Sequence, residues 1–113
     1  MKIIFAESSN TEARGFYEYG AGGRRGDEGV SWNELIMLTI KQDKDDSPTL
    51  TTTLTETEFN EKFDDGYGGE RGRPFTAWTD KRVYFPVCYD GSEWVGSVPR
   101  NPCNEVTVGQ GGG

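Results

Sequence analysis

The sequence predicts an α+β fold: a small antiparallel sheet of about four to six strands with one short helix packed on one face. Three observations carry that expectation. The stretch Phe75–Pro99 is dense in aromatic and β-branched residues and holds Asp90-Gly91 at its middle, the strongest short-range signal for a β-hairpin. Thr55–Asp65 gathers several independent helix signals. The 113 residues, only 33% of them hydrophobic, suffice for one core with little to spare. A 12% aromatic share offsets the thin hydrophobic content, because each aromatic ring buries far more area than a valine. One domain over residues 1–108 with a disordered glycine tail at 109–113 is therefore expected.

Lys2–Ala6 is a short apolar run that reads as a first strand, ended by Ser8–Asn10. Phe16, Tyr17 and Tyr19 suit part of a second strand, confined between Gly15 and Gly20. Residues 20–29 and 66–74 are glycine- and arginine-rich and read as flexible loops.

The segment Leu35–Ile40 carries conflicting signals. Ser31-Trp32-Asn33-Glu34 has the Ser-x-x-Glu pattern of a capping box and would open a helix. Thr39, Ile40 and the threonine-rich run that follows favour strands. The balance is drawn towards a hairpin pairing Glu34–Gln42 with Thr49–Leu54 across a turn at Asp43–Pro48.

Thr55 then serves as N-cap with Glu58 at the third helical position, while Leu54 and Phe59 form a hydrophobic staple. Phe59 and Phe63 share one face at i, i+4, and Gly66 supplies the stop. The helix is expected over about 56–65. In the hairpin 82–98, a two-residue turn at Asp90-Gly91 pairs Tyr89 with Ser92, Val87 with Trp94, Phe85 with Gly96 and Val83 with Val98. That nearly all-apolar face is expected to pack on the core against Phe59 and Phe63, with Gly96 leaving room for the Phe85 ring. Pro86 has no donor for a ladder, so one side of its strand must be an edge or a bulge.

Function classes narrow by what the residues lack. With no histidine, serine–histidine and cysteine–histidine nucleophiles and the commonest metal ligand are absent. Cys88 and Cys103 cannot complete a four-ligand zinc site. Glu93, across the hairpin from Cys88, would raise that thiol's pKa rather than lower it. Asp43–Pro48 follows the start of a calcium loop, but its sixth position is Pro48 instead of glycine and its twelfth is Leu54 instead of glutamate. It reads as a solvated turn. Gly20-Ala-Gly22 lacks the third glycine of a dinucleotide loop. Arg25-Gly26-Asp27 spells an adhesion tripeptide that has no meaning in a cytosolic protein. No cofactor, no metal and no catalytic residue are expected.

No run reaches the roughly 18 apolar residues of a membrane span. The N-terminus turns polar too soon for a signal peptide. A cytoplasmic protein with two thiols is expected, although loop length also permits a Cys88–Cys103 disulfide. The net charge of -7 disfavours phosphate backbones. Arginine islands with Tyr67, Trp78 and Tyr84 offer RNA stacking, against that overall charge.

The predicted helix breaks a local rule. Besides Glu56, Glu58 and Glu61 it carries Asp64 and Asp65 at its C-terminal end, where the macrodipole disfavours negative charge. Such a conflict marks either a solvated face beside arginine-rich loops or an acidic strip offered to a basic partner. Trp78 and Tyr84 are candidate aromatic anchors for the same contact.

The segment Phe75-Thr-Ala-Trp-Thr…Val83-Tyr-Phe-Pro-Val-Cys-Tyr-Asp-Gly-Ser-Glu-Trp-Val-Gly-Ser-Val-Pro99 resembles the C-terminal part of small uncharacterised phage and prophage proteins. In size and acidity the chain resembles phage accessory proteins such as the anti-CRISPR inhibitors. That resemblance implies a non-enzymatic inhibitor acting in the host cell. It would bind a host protein or ribonucleoprotein complex of basic surface, as a monomer or homodimer, and occupy its nucleic-acid groove. The alternative is a structural or assembly protein that self-associates through sheet edges.

Overall fold

The computed structural model describes residues 1–10, 29–63, 72–89 and 92–109. In chain order these form β1 (Lys2–Ile4), β2 (Val30–Ser31), α1 (Trp32–Asp43), β3 (Thr49–Thr52), α2 (Glu56–Asn60), β4 (Lys62–Phe63), β5 (Ala77–Trp78), β6 (Arg82–Tyr89) and β7 (Ser92–Pro99). Five strands make one sheet in the order β1-β3-β5-β6-β7, and β2 with β4 forms a separate two-stranded ribbon. The class is α+β, with a mixed sheet: β1 and β3 run parallel, joined through α1, and every other pair is antiparallel.

The capping box prevails in the contested segment. Ser31 accepts from the Glu34 backbone N–H at 3.2 Å, and the Glu34 carboxylate accepts from the Ser31 N–H at 3.3 Å. Twelve helical residues follow, burying Trp32, Ile36 and Ile40 at i, i+4, i+8. Thr39 joins this helix by donating its hydroxyl to the Leu35 carbonyl at 2.9 Å. The expected hairpin Glu34–Gln42 with Thr49–Leu54 is therefore corrected. Only its second half is a strand, and β3 pairs with β1 and β5. A helix stripe against a sheet buried more apolar surface than strand propensity at two residues could oppose. The helix ends on Lys44 in the left-handed region (φ 55°), with the Asp45 N–H returned to the Ile40 carbonyl.

The second capping box forms as expected, through Thr55 and Glu58. The helix is shorter than expected: it stops at Asn60, Glu61 is extended, and Phe63 belongs to β4. Phe63 reaches the core by pairing opposite Val30 rather than by helical spacing from Phe59. There its ring meets Trp32 in a tilted contact at 4.7 Å, and Phe75 meets the same indole at 4.8 Å. The core gathers these rings with Ile36, Ile40, Leu50, Leu54, Phe59, Ala77, Tyr84 and Val95.

The β6–β7 register is the one the alternation predicts, from Val83 opposite Val98 to Tyr89 opposite Ser92. The face that enters the core is the other one. Tyr84 and Val95 join the core cluster and Glu93 is buried beside them, while on the apolar face Val87 is buried outside that cluster and Val83, Phe85, Trp94 and Val98 are half-buried. Polarity misleads here because the polar residues of the inner face find partners: Glu93 accepts from the Gly72 N–H at 2.9 Å, and Ser97 donates to Asp43 at 2.6 Å. Gly96 does make room for Phe85, whose ring would lie 2.8 Å from an added Cβ. Pro86 also sits where a missing donor costs nothing. Arg82 bonds towards β5, so Pro86 faces the same side, beyond the last β5 pair at Ala77–Tyr84.

No disulfide joins Cys88 and Cys103. Among the described residues no helix is long and apolar enough to cross a membrane. The second strand expected around Phe16–Tyr19, most of the two glycine-rich loops, the Asp90-Gly91 turn, the stop at Gly66 and the last four residues of the tail lie outside the described residues.

Candidate functional site

The residues expected to form one partner-binding surface are dispersed. Glu56 is exposed on the first turn of α2. Glu58 and Glu61 instead turn towards Arg73. The guanidinium lies 3.3 Å from Glu58 Oε2 through Nη1 and 2.7 Å from Glu61 Oε2 through Nε. All three side chains are mostly shielded from solvent. Burial pushes the Glu58 carboxyl up, but hydrogen bonds from Ser9 and Thr55 together with the Arg73 charge hold it below the ordinary glutamate value. The Arg73 carbonyl accepts from Trp32 Nε1 at 2.9 Å, so one residue fastens α2, α1 and the chain entering β5. Asp64 and Asp65 lie outside the described residues.

Tyr84 cannot serve as a surface anchor, which corrects that expectation: its side chain is fully buried and its hydroxyl donates to Asp45 Oδ2 at 2.7 Å. The same carboxylate accepts from Thr79 Oγ1 at 2.7 Å, Ser47 Oγ at 2.6 Å and the Ser47 N–H at 3.0 Å. Four donors fill the lone-pair sites of a carboxylate. Burial raises the Asp45 carboxyl, yet these hydrogen bonds outweigh it and bring it down to about 2. Burial and the facing carboxylate push the Tyr84 phenol up. Asp45 thus stays ionised with no lone pair to offer, so its chemistry is that of a bolt between the end of α1 and the sheet. Proton transfer needs an acceptor with capacity left.

Beside this bolt a cavity of about 430 Å³ opens between Asp43, Lys44, Asp80, Lys81, Arg82 and Cys103. Two of its cations are held by carboxylates. Arg82 lies 3.3 Å from Asp43 and 3.1 Å from Glu105, and Lys81 pairs with Asp46. Sequence reasoning missed this cluster because its members come from α1, the β5–β6 turn and the segment after β7. One local signal was readable: Asp45-Asp46-Ser47 allows the aspartate side chain to bond the backbone two residues on.

Of the two aromatic candidates, Trp78 is the one that reaches a surface. In register, Ile4, Thr51, Trp78, Val83 and Val98 form one row across all five strands, on the face opposite α1. Ile4 is exposed and the other four are partly exposed. Phe85 and Trp94 extend the row along β6 and β7. A continuous uncharged stripe containing tryptophan suits recognition of another protein rather than a small substrate. Comparison with protein-family models, with curated proteins and with solved structures finds no match to this chain.

Proposed function

We propose that this chain is a small phage or mobile-element protein that binds a host protein or ribonucleoprotein and inhibits it without catalysing a reaction itself. The observation that supports the reading best is the uncharged row Ile4–Thr51–Trp78–Val83–Val98 on the outer face of the sheet. The paired state of Asp43, Glu58 and Glu61 points the same way, since these mostly shielded carboxylates hold the scaffold together. The contact surface is then centred on Trp78, with acidic residues such as Glu56 steering a basic partner towards it at a chain charge of -7. A nucleic-acid-mimicking strip along α2 is a narrower version that Glu58 and Glu61 no longer serve.

Affinity capture from a host-cell lysate, run in parallel with the wild type and with Trp78→Glu, tests this. One host protein should be recovered with the wild type and lost with the variant, while circular dichroism and the melting midpoint stay close to wild type. Equal recovery by both proteins removes the outer face as the site. Glu56→Lys should slow association and steepen no other parameter, because a rim charge acts on the encounter rate.

A second reading, self-association through sheet edges, is favoured by one observation: the sheet ends in β1 on one side and β7 on the other, with no further strand of the described residues beyond either.

A further inference from the structure

The outward edge of β7 can be read residue by residue. The Thr79 N–H donates to the Arg82 carbonyl at 2.9 Å, so even-numbered residues of β6 turn their backbone groups to β5 and odd-numbered ones to β7. The β7 partners of Val83, Phe85 and Val87 are Val98, Gly96 and Trp94. Val95 and Ser97 therefore direct their N–H and C=O groups away from β6. One of these four is met within the fold, where Thr39 Oγ1 lies 3.4 Å from the Val95 carbonyl.

Six residues after the end of β7 comes Glu105-Val-Thr-Val108. Alternating β-branched residues give it a strand's composition, yet it is not a strand of the sheet. Val106 is 88% exposed and Val108 73%, the highest values among the large hydrophobic side chains described. The segment flanks the very groove that β7 borders: a cavity of about 350 Å³ lies between Thr39 and Gln42 of α1, Val95 and Ser97 of β7, and Glu105 to Val108. Arg82 faces this groove and holds Glu105 through Nη1, at 3.2 and 3.1 Å from its two oxygens.

We propose that the edge of β7 is a strand-accepting site, and that its occupant is the Glu105–Val108 segment of a second copy of this chain. Added there, the segment buries Val106, supplies backbone partners to Val95 and Ser97, and brings a carboxylate to Arg82 in place of the one that copy already holds. Reciprocal exchange then makes a closed dimer. A foreign peptide would need the same alternation and the same acidic residue, both of which this chain carries. The inference rests on the self-association reading and names the strand and the edge it uses.

Sedimentation velocity of the full chain over a concentration series tests it, comparing wild type with Val106→Pro and Thr107→Pro. Successive residues of a strand point their N–H groups to opposite sides, so one of these two prolines must remove a ladder donor. The wild type should form a concentration-dependent dimer, and at least one variant should weaken it by about tenfold or more. Circular dichroism and the melting midpoint should not change, since the segment lies outside the core. If the wild type associates and both variants associate equally well, this strand exchange is overturned while assembly through another edge, such as β1, still stands. A wild type that remains monomeric throughout overturns both.

Discussion

Asp45 ties the end of α1 to the sheet by accepting four hydrogen bonds, two from Ser47 and one each from Thr79 and Tyr84. Its carboxyl titrates at about 2 against an ordinary 3.8, so its folded pKa is depressed. The stability it contributes is present above about pH 4 and is lost as the pH falls towards 2. That shift corresponds to about 2 kcal/mol at neutral pH. Asp45→Asn should therefore lower the unfolding free energy by about 2 kcal/mol at neutral pH. It should also flatten the acid limb, so that urea melts at about pH 4 and about pH 2 differ less for the variant than for the wild type. Equal acid sensitivity in both proteins would place the relevant carboxylate elsewhere. Tyr84 shows why residue type alone misled: an aromatic residue with a polar tip suits an exposed anchor and a buried donor equally, and only the position of Asp45 decides.

At the scale of elements, both capping boxes were legible because they are local. Ser31–Glu34 and Thr55–Glu58 each satisfy orphan helix donors within four residues, whatever the rest of the chain does. The length of α2 was not legible, because its end is set by the pairing of Phe63 with Val30, some thirty residues apart. The glycines at close approaches divide by what surrounds them. A Cβ on Gly72 would lie 2.4 Å from Cζ2 of Trp32, a buried indole in contact with both Phe63 and Phe75. A Cβ on Gly96 would lie 2.8 Å from Cε2 of Phe85, on the half-buried outer face. Gly72→Ala should thus cost about 2–3 kcal/mol and Gly96→Ala about 1 kcal/mol, since only the second neighbour has room to turn aside. Chemical denaturation of both variants checks the order, and a larger cost at Gly96 contradicts this account of the two faces.

For the whole molecule, Arg73 is the joint where separate parts of the fold meet. It forks between Glu58 and Glu61 and receives Trp32 Nε1 on its carbonyl. Arg73→Met leaves two shielded carboxylates facing each other and should cost about 2–3 kcal/mol. Arg73→Lys should recover only part of that, because an ammonium cannot reproduce the fork. Thermal melts of the three proteins measure this, and full recovery by lysine would show that charge alone suffices. The same joint explains the acids that had looked like a binding strip: two of them are oriented inward by an arginine that lies 12 residues or more away along the chain.

By itself the sequence determined what a few neighbouring residues settle without a rival signal: the start of α2, the register of β6 with β7, the room left at Gly96 and the harmless place of Pro86. These depend on backbone hydrogen bonds and on period-two alternation, which act over short range. The capping box of α1 was readable but outweighed in the sequence by the strand signals that follow it. Only the tertiary structure decided which face of the hairpin is covered. Alternation defines two faces without saying which one meets α1, and Tyr84, Glu93 and Ser97 could turn inward because Asp45, Gly72 and Asp43 arrive there from elsewhere in the chain. Burial of a polar group is settled by its partner, and those partners come together only once the chain has folded.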